Sequence, residues 1–198
     1  KIKKIRFHLA LTLMVLMLLQ AQVGFAAPRV RIDLERETRK KVTVAITEFV
    51  LKGSNADVIG IGKEAKKILE RDLMLSEWFS PLPRQVFEEL EKMEGTTSKV
   101  DYRSWHQVGA QWLIKVEYSV TGGGKGQAFT FRLYDTVNKR FLLGKRYKAS
   151  HDLLRKTVHR FADEVVMQLT GKRGLAETQI AFLNQENSGK EIYLIDFD

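Results

Sequence analysis

The chain has 198 residues, with 33 Lys and Arg against 24 Asp and Glu, a formal charge of +9 and no cysteine. That length accommodates one or two domains with a real hydrophobic core. An apolar fraction of 44% with 29% charged residues describes a globular chain, not a disordered or fibrous one. Zero cysteine excludes disulfides, thiolate metal sites, cysteine nucleophiles and cysteine-linked lipid anchors.

The basic surplus is concentrated at the amino terminus. Lys1, Lys3, Lys4 and Arg6 form a head without acids, and Leu9 to Leu19 is an eleven-residue apolar run broken only by Thr12. Gly24 and Ala26 then place small residues at −3 and −1 of a cleavage point after Ala26. This order defines a secretory signal peptide over 1–26. The alternative, an uncleaved anchor, needs about 20 apolar residues, and Gln20 and Gln22 would then lie in the bilayer. Removing 1–26 leaves 29 basic against 24 acidic residues, a net charge of +5, which bears on solubility more than on binding. The mature protein is expected outside the cytoplasmic membrane, and a chain without cysteine needs no oxidative folding, which is compatible with a bacterial periplasm. Position 1 is Lys, not Met, so the sequence is expected to be less than a whole reading frame.

Pro28 to Leu34 alternates Val30, Ile32 and Leu34 against Arg29, Arg31 and Asp33, a strand period in a short charged terminal segment. Such a segment can pair with an edge, fray, or be donated to a partner. Glu35 to Lys41 is a charged linker, and Val42 to Phe49 is a β-branched strand. Asp57 is a plausible N-cap for a helix to about Leu75, whose apolar face is Ile61, Ala65, Ile68, Leu69 and Leu73. Ser76 to Leu82 reads as a short strand stopped by Pro81 and Pro83. Arg84 to Met93 is a second amphipathic helix and Arg103 to Val108 a third.

The clearest strand is Trp112 to Val120, answered by Gln127 to Tyr134 across a five-residue loop at 122–126 and followed by Phe141 to Tyr147. These three form an antiparallel meander. Asp152 or Ser150 caps the strongest helix, with the stripe Leu154, Val158, Phe161, Val165 and Leu169, flanked by Leu153, Ala162 and Val166. Gly171 stops it. Beyond Gly174, Thr178 to Leu183 and Glu191 to Ile195 read as a strand pair. A lone hairpin is marginal in water, so this pair is expected to open a further domain. The fold class is α+β: a mixed or antiparallel sheet packed with two main helices.

Chemistry-bearing motifs are few. The glycines and Lys125 at 122–126 resemble a phosphate loop, but the lysine precedes Gly126 and strands flank both sides, which is the wrong context. His8 leaves with the signal peptide, while His106, His151 and His159 lack metal-ligand spacing and read as surface or capping residues. Asp33 with Glu35 and Asp163 with Glu164 read as solvated acids, not a catalytic pair. We expect no enzyme and no cofactor. The stretch Arg36 to Lys41 has no interleaved aromatics for base stacking, so nucleic acid is not an expected partner. An alternative function is a secreted module binding an anionic ligand through Arg29, Arg31, Arg36, Lys40 and Lys41.

Several blocks together resemble the TolB family of periplasmic Tol–Pal envelope proteins. They are Asp57-Val58-Ile59-Gly60, Asp72-Leu73, Ser76 and Phe79; then Trp105, Gly109 and Ala110; then His159 to Glu164, Leu169-Thr170-Gly171, Gly174, Thr178 and Ile180-Ala181-Phe182. Glu77 departs from the family's usual Gly, Leu175-Ala176 from Ile-Phe, and Gln179 from a basic residue. The resemblance implies a signal peptide at 1–26, a partner-binding strand and linker at 27–41, the family's amino-terminal α+β domain at 42–173, and the start of a β-propeller at 174–198. It also implies a non-enzymatic adaptor supporting envelope integrity and cell division. Arg29, Val30, Arg31, Ile32, Asp33 and Leu34 would engage a TolA-type inner-membrane partner. A Pal-type lipoprotein would dock on propeller parts outside this chain, and the mature protein would not insert in the membrane.

Overall fold

In the computed structural model, residues 41–95, 99–186 and 189–197 are described. The predicted signal segment 1–26 and the predicted partner strand 28–34 lie outside them. The elements in chain order are β1 (Val42–Ile46), β2 (Val50–Leu51), α1 (Ile61–Leu75), β3 (Phe79–Pro81), α2 (Glu88–Glu94), α3 (Tyr102–Gln107), β4 (Trp112–Thr121), β5 (Gly126–Asp135), β6 (Arg140–Ser150), α4 (Leu154–Thr170), β7 (Gln179–Glu186) and β8 (Gly189–Asp196).

One sheet runs in the order β3-β1-β4-β5-β6, with β2 joining β4 beyond β1. β1 is parallel to both β3 and β4, whereas β4, β5 and β6 form the expected antiparallel meander. The α+β class therefore holds for this domain, with a mixed sheet. Alternation decides the layers. Ile114, Val116, Tyr118, Val120, Phe129, Phe131 and Leu133 face the side covered by α1 and α4. Phe131 stacks on Phe161 of α4 with ring centroids 4.3 Å apart, a geometry worth about 0.5–1.5 kcal/mol beyond the buried area. On the opposite face Ala45, Leu113 and Tyr134 meet Phe87 and Trp105, brought in by the segment around α2 and α3.

The differences from the sequence expectations have local causes. The strand expected over Val42 to Phe49 leaves the ladder after Ile46. Ile46 stands opposite Ile114 and Val50 opposite Glu117, so four steps on this side match three on β4. This bulge lets Phe49 meet Phe129 and Phe131 edge-on, at 6.4 and 6.2 Å. The first helix starts at Ile61, not Asp57. Asp57 still caps it from outside: its two carboxylate oxygens accept from the N–H groups of Ile61 and Gly62, at 2.8 and 2.9 Å. The Tyr118 hydroxyl donates to the same carboxylate at 2.8 Å. Gly62 is what lets Tyr118 approach, because a Cβ there would sit 2.5 Å from the ring.

The helix expected from Arg84 breaks at Phe87, which turns inward and is buried 5.5 Å from the Trp105 ring. The loop between β4 and β5 is one residue shorter than expected, since Gly126 pairs with Thr121. Gly122, Gly123 and Gly124 all have positive φ, so the glycines serve the turn, and no helix follows to receive a phosphate. A single 3-10 turn, His151–Leu153, leads into α4, and neither Asp152 nor Ser150 caps the helix. Leu153 is accordingly exposed rather than on the buried stripe.

Partial burial by itself raises the Asp57 carboxyl, but the Gly62 and Ile61 amides and the Tyr118 hydroxyl outweigh it and hold it below its ordinary 3.8. A lowered folded-state value means the contribution is complete above pH 3.8 and fades as pH falls through that lower value. Asp57→Ala is expected to cost about 1–2 kcal/mol in urea unfolding at neutral pH. The gap between variant and parent should close in strong acid.

Candidate functional site

The residues predicted to bind a partner, Arg29 to Leu34, lie outside the described residues, as do Arg36 and Lys40. Lys41 alone of the proposed basic set is described, and it is exposed. What the structure describes is the start of the domain at Lys41 and Val42. The Val42 N–H donates to the Trp78 carbonyl at 2.9 Å. Around it lies a groove of about 520 Å³ lined by Lys41, Val42, Glu77, Trp78, Trp112 and Leu169, among others. Lys172 sits over the Trp78 ring, 5.4 Å from its centroid. Glu77 beside it has φ 63°, a left-handed conformation natural to glycine.

The second candidate is the joint between α4 and the β7–β8 hairpin. Gly171 ends α4 with φ 69°. The Asp163 carboxylate then reaches back along the outgoing chain, accepting from the Ala176 and Glu177 N–H groups at 2.9 and 3.1 Å. Gly174 is required here, because a Cβ would lie 2.7 Å from the Asp163 Cα and closer still to its carboxylate. Arg160 adds an exposed pair with Glu177 at 3.6 Å. Thr178 closes a turn on the Leu175 carbonyl, and Gln179 bonds Asp196 across the first rung of the hairpin at 3.0 Å.

One helical turn earlier, His159 is buried, not on the surface. Its Nδ1 lies 2.7 Å from Asp72 Oδ2 of α1, and both side chains are almost fully covered. Asp163 and Glu164 are not idle solvated acids either, since Glu164 accepts from the Tyr147 hydroxyl at 2.8 Å and pairs with Lys145 at 3.0 Å. Residue-type reasoning missed these roles. The available signal was spacing: His159, Ala162 and Val166 fall at i, i+3 and i+7, along the flank of the buried stripe.

The hairpin has apolar side chains on both faces. Cross-strand register puts Ile180, Phe182, Tyr193 and Ile195 on one and Ala181, Leu183, Ile192 and Leu194 on the other. The large ones are 41–74% exposed. A strand pair apolar on both sides suits a position between two layers. Among the described residues no group of three or more His, Asp or Glu is arranged to hold a metal ion.

These features define a mixed-sheet α+β domain with a clamped carboxyl-terminal hairpin. Residues 30–142 match the sequence profile of the TolB amino-terminal domain. Belonging to the TolB family is therefore established for this chain. It is 32% identical over 173 residues to the Tol-Pal system protein TolB of Syntrophotalea carbinolica, covering 87% of this chain and 40% of that protein. It is 31% identical over 159 residues to the protein of that name from Desulfosudis oleivorans, covering 80% and 36%. A crystal structure of TolB from Acinetobacter baumannii superposes with a TM-score of 0.60 at 18% identity, covering 80% of this chain and 37% of that one. The chain thus spans about 40% or less of the relatives it matches.

The departure at Glu77 now has a physical meaning, since an L side chain in the left-handed region costs about 1–2 kcal/mol. Glu77→Gly is expected to raise stability by about 0.5–1 kcal/mol once the added freedom of the unfolded chain is subtracted, read from the shift of a urea midpoint. Gly174→Ala should do the reverse at the joint. Hydrogen exchange at the Ala176 and Glu177 amides should accelerate strongly while the β4–β5 ladder keeps its protection.

Proposed function

We propose that this chain is the leading portion of a non-enzymatic periplasmic adaptor of the Tol–Pal envelope system. In this reading it links an inner-membrane TolA-type protein to a Pal-type lipoprotein and supports envelope integrity and cell division. The observation that carries the proposal is the continuity of the likeness. The relatives named Tol-Pal system protein TolB align through the α+β domain, and the family-like block at His159 to Gly174 forms the clamp that leads into the hairpin.

The segment Arg29 to Leu34 serves as the TolA-type contact. A short alternating strand can add to a partner's sheet edge, with main-chain hydrogen bonds supplying affinity and the alternate side chains specificity. The groove beside Trp78 includes Lys41 and Val42, the first described residues after that segment. The hairpin β7–β8 is read as the first strands of a β-propeller, whose neighbouring layers would cover its two apolar faces. The Pal-type partner then docks on propeller surface outside this chain. A mature protein cleaved after Ala26 acts in the periplasm, and none of the described helices is long and apolar enough to cross a membrane.

The test is capture by the carboxyl-terminal domain of a TolA-type protein, comparing 27–198 with a form beginning at Glu35. The described domain is intact in both, so the shorter form is expected to lose capture. Equal capture by both would sink the terminal-strand contact. Binding that collapses with salt and shows no preference among acidic partners would point instead to an anionic-ligand module.

A further inference from the structure

The described sheet stops at β6. With eleven residues it is the longest described strand, and it contains no proline. No described strand pairs with its outer edge, and no described group outside the β5 ladder hydrogen-bonds to the main chain of 140–149. An edge of that length with no partner strand among the described residues is a template for another strand.

Its charge is one-sided. Arg140, Lys145, Arg146 and Lys148 lie in the strand, and no acid does. Arg140 is paired with Asp135 and Lys145 with Glu164. Arg146 and Lys148 stand opposite Thr130 and Ala128 of β5, on the face away from α4, and both are exposed. The sheet therefore presents two cations, two residues apart, that their cross-strand neighbours do not neutralise.

Basic edge residues ordinarily keep neutral strands away. The same charges select in favour of an acidic one. A second copy of β6 would set base against base, which is unfavourable for directly opposed positions. The chain's own segment 28–34 would do likewise through Arg29 and Arg31. We propose that the β6 edge accepts an extended acidic segment of a partner protein, added as a seventh strand. Its carboxylates would lie opposite Arg146 and Lys148, and its apolar side chains beside Leu143 and Tyr147 on the α4 side. Main-chain pairing supplies the affinity and the two cations choose the partner.

The probe is a capped nine-residue peptide of alternating glutamate and valine, titrated into the 198-residue chain and followed by amide hydrogen exchange. Saturable binding is expected, together with new protection on alternate residues between Arg140 and Ser150. The double variant Arg146→Glu, Lys148→Glu should weaken binding about tenfold or more, with unchanged β4–β5 protection certifying its fold. If that variant does not fold, a salt series on the parent chain takes its place, and affinity should fall as salt rises. The proposal is overturned if the peptide fails to bind at millimolar concentration or binds without protecting β6 amides. It is equally overturned if a lysine–valine peptide, or one with proline in place of each valine, binds as well.

Discussion

Strand β4 has to satisfy two neighbours at once. Along its whole length it pairs antiparallel with β5, and on its other side it pairs parallel with β1 and then, past the bulge, with β2. A one-residue slip in either ladder would turn every side chain of that strand to the wrong face. Ile114, Val116 and Tyr118 would then leave the helices, and Lys115 and Glu117 would enter their core. Both layers inherit their position from this double register: α1 and α4 on one face, and the Phe87–Trp105 cluster on the other. The ion pair of Lys115 with Glu94, which also accepts from the Trp105 indole N–H at 3.0 Å, ties the second layer back to the same strand.

Much of this could be read from the chain. Period-two alternation marked the three meander strands, and the 3.6-residue period marked α1 and α4, because those elements are half buried and their patterns are unambiguous. The unread parts depend on partners distant in sequence. The bulge after Ile46 answers to Phe129 and Phe131. The delayed start of α1 answers to Tyr118, which holds the capping carboxylate four residues before the helix. His159 gave no sign of burial by type alone, since its partner Asp72 lies 87 positions earlier. Of the candidate sites, Arg29 to Leu34 lies outside the described residues, and the clamp at Asp163 needed the return path of the chain.

The residues that carried the family resemblance turn out to occupy the polar joints of the fold. Asp57 caps α1, and Asp72 joins α1 to α4. Ser76 closes the end of α1 on the Leu73 carbonyl at 2.6 Å. Gly109 supplies a positive φ, and its carbonyl accepts from Thr43. Asp163 and Gly174 fix the outgoing chain. Removing one partner of a buried pair such as His159 with Asp72 strands the other. These residues fix how the elements meet.

His159 and Asp163 are one turn apart on α4, and they grip different things: the first holds α1, the second holds the chain entering the hairpin. Thermodynamic linkage then runs in both directions through that turn. Whatever free energy a load on the hairpin adds to or takes from the α1–α4 contact, an event at α1 returns to the hairpin in equal measure. A single helical turn thereby carries both the contact to α1 and the contact to the outgoing chain.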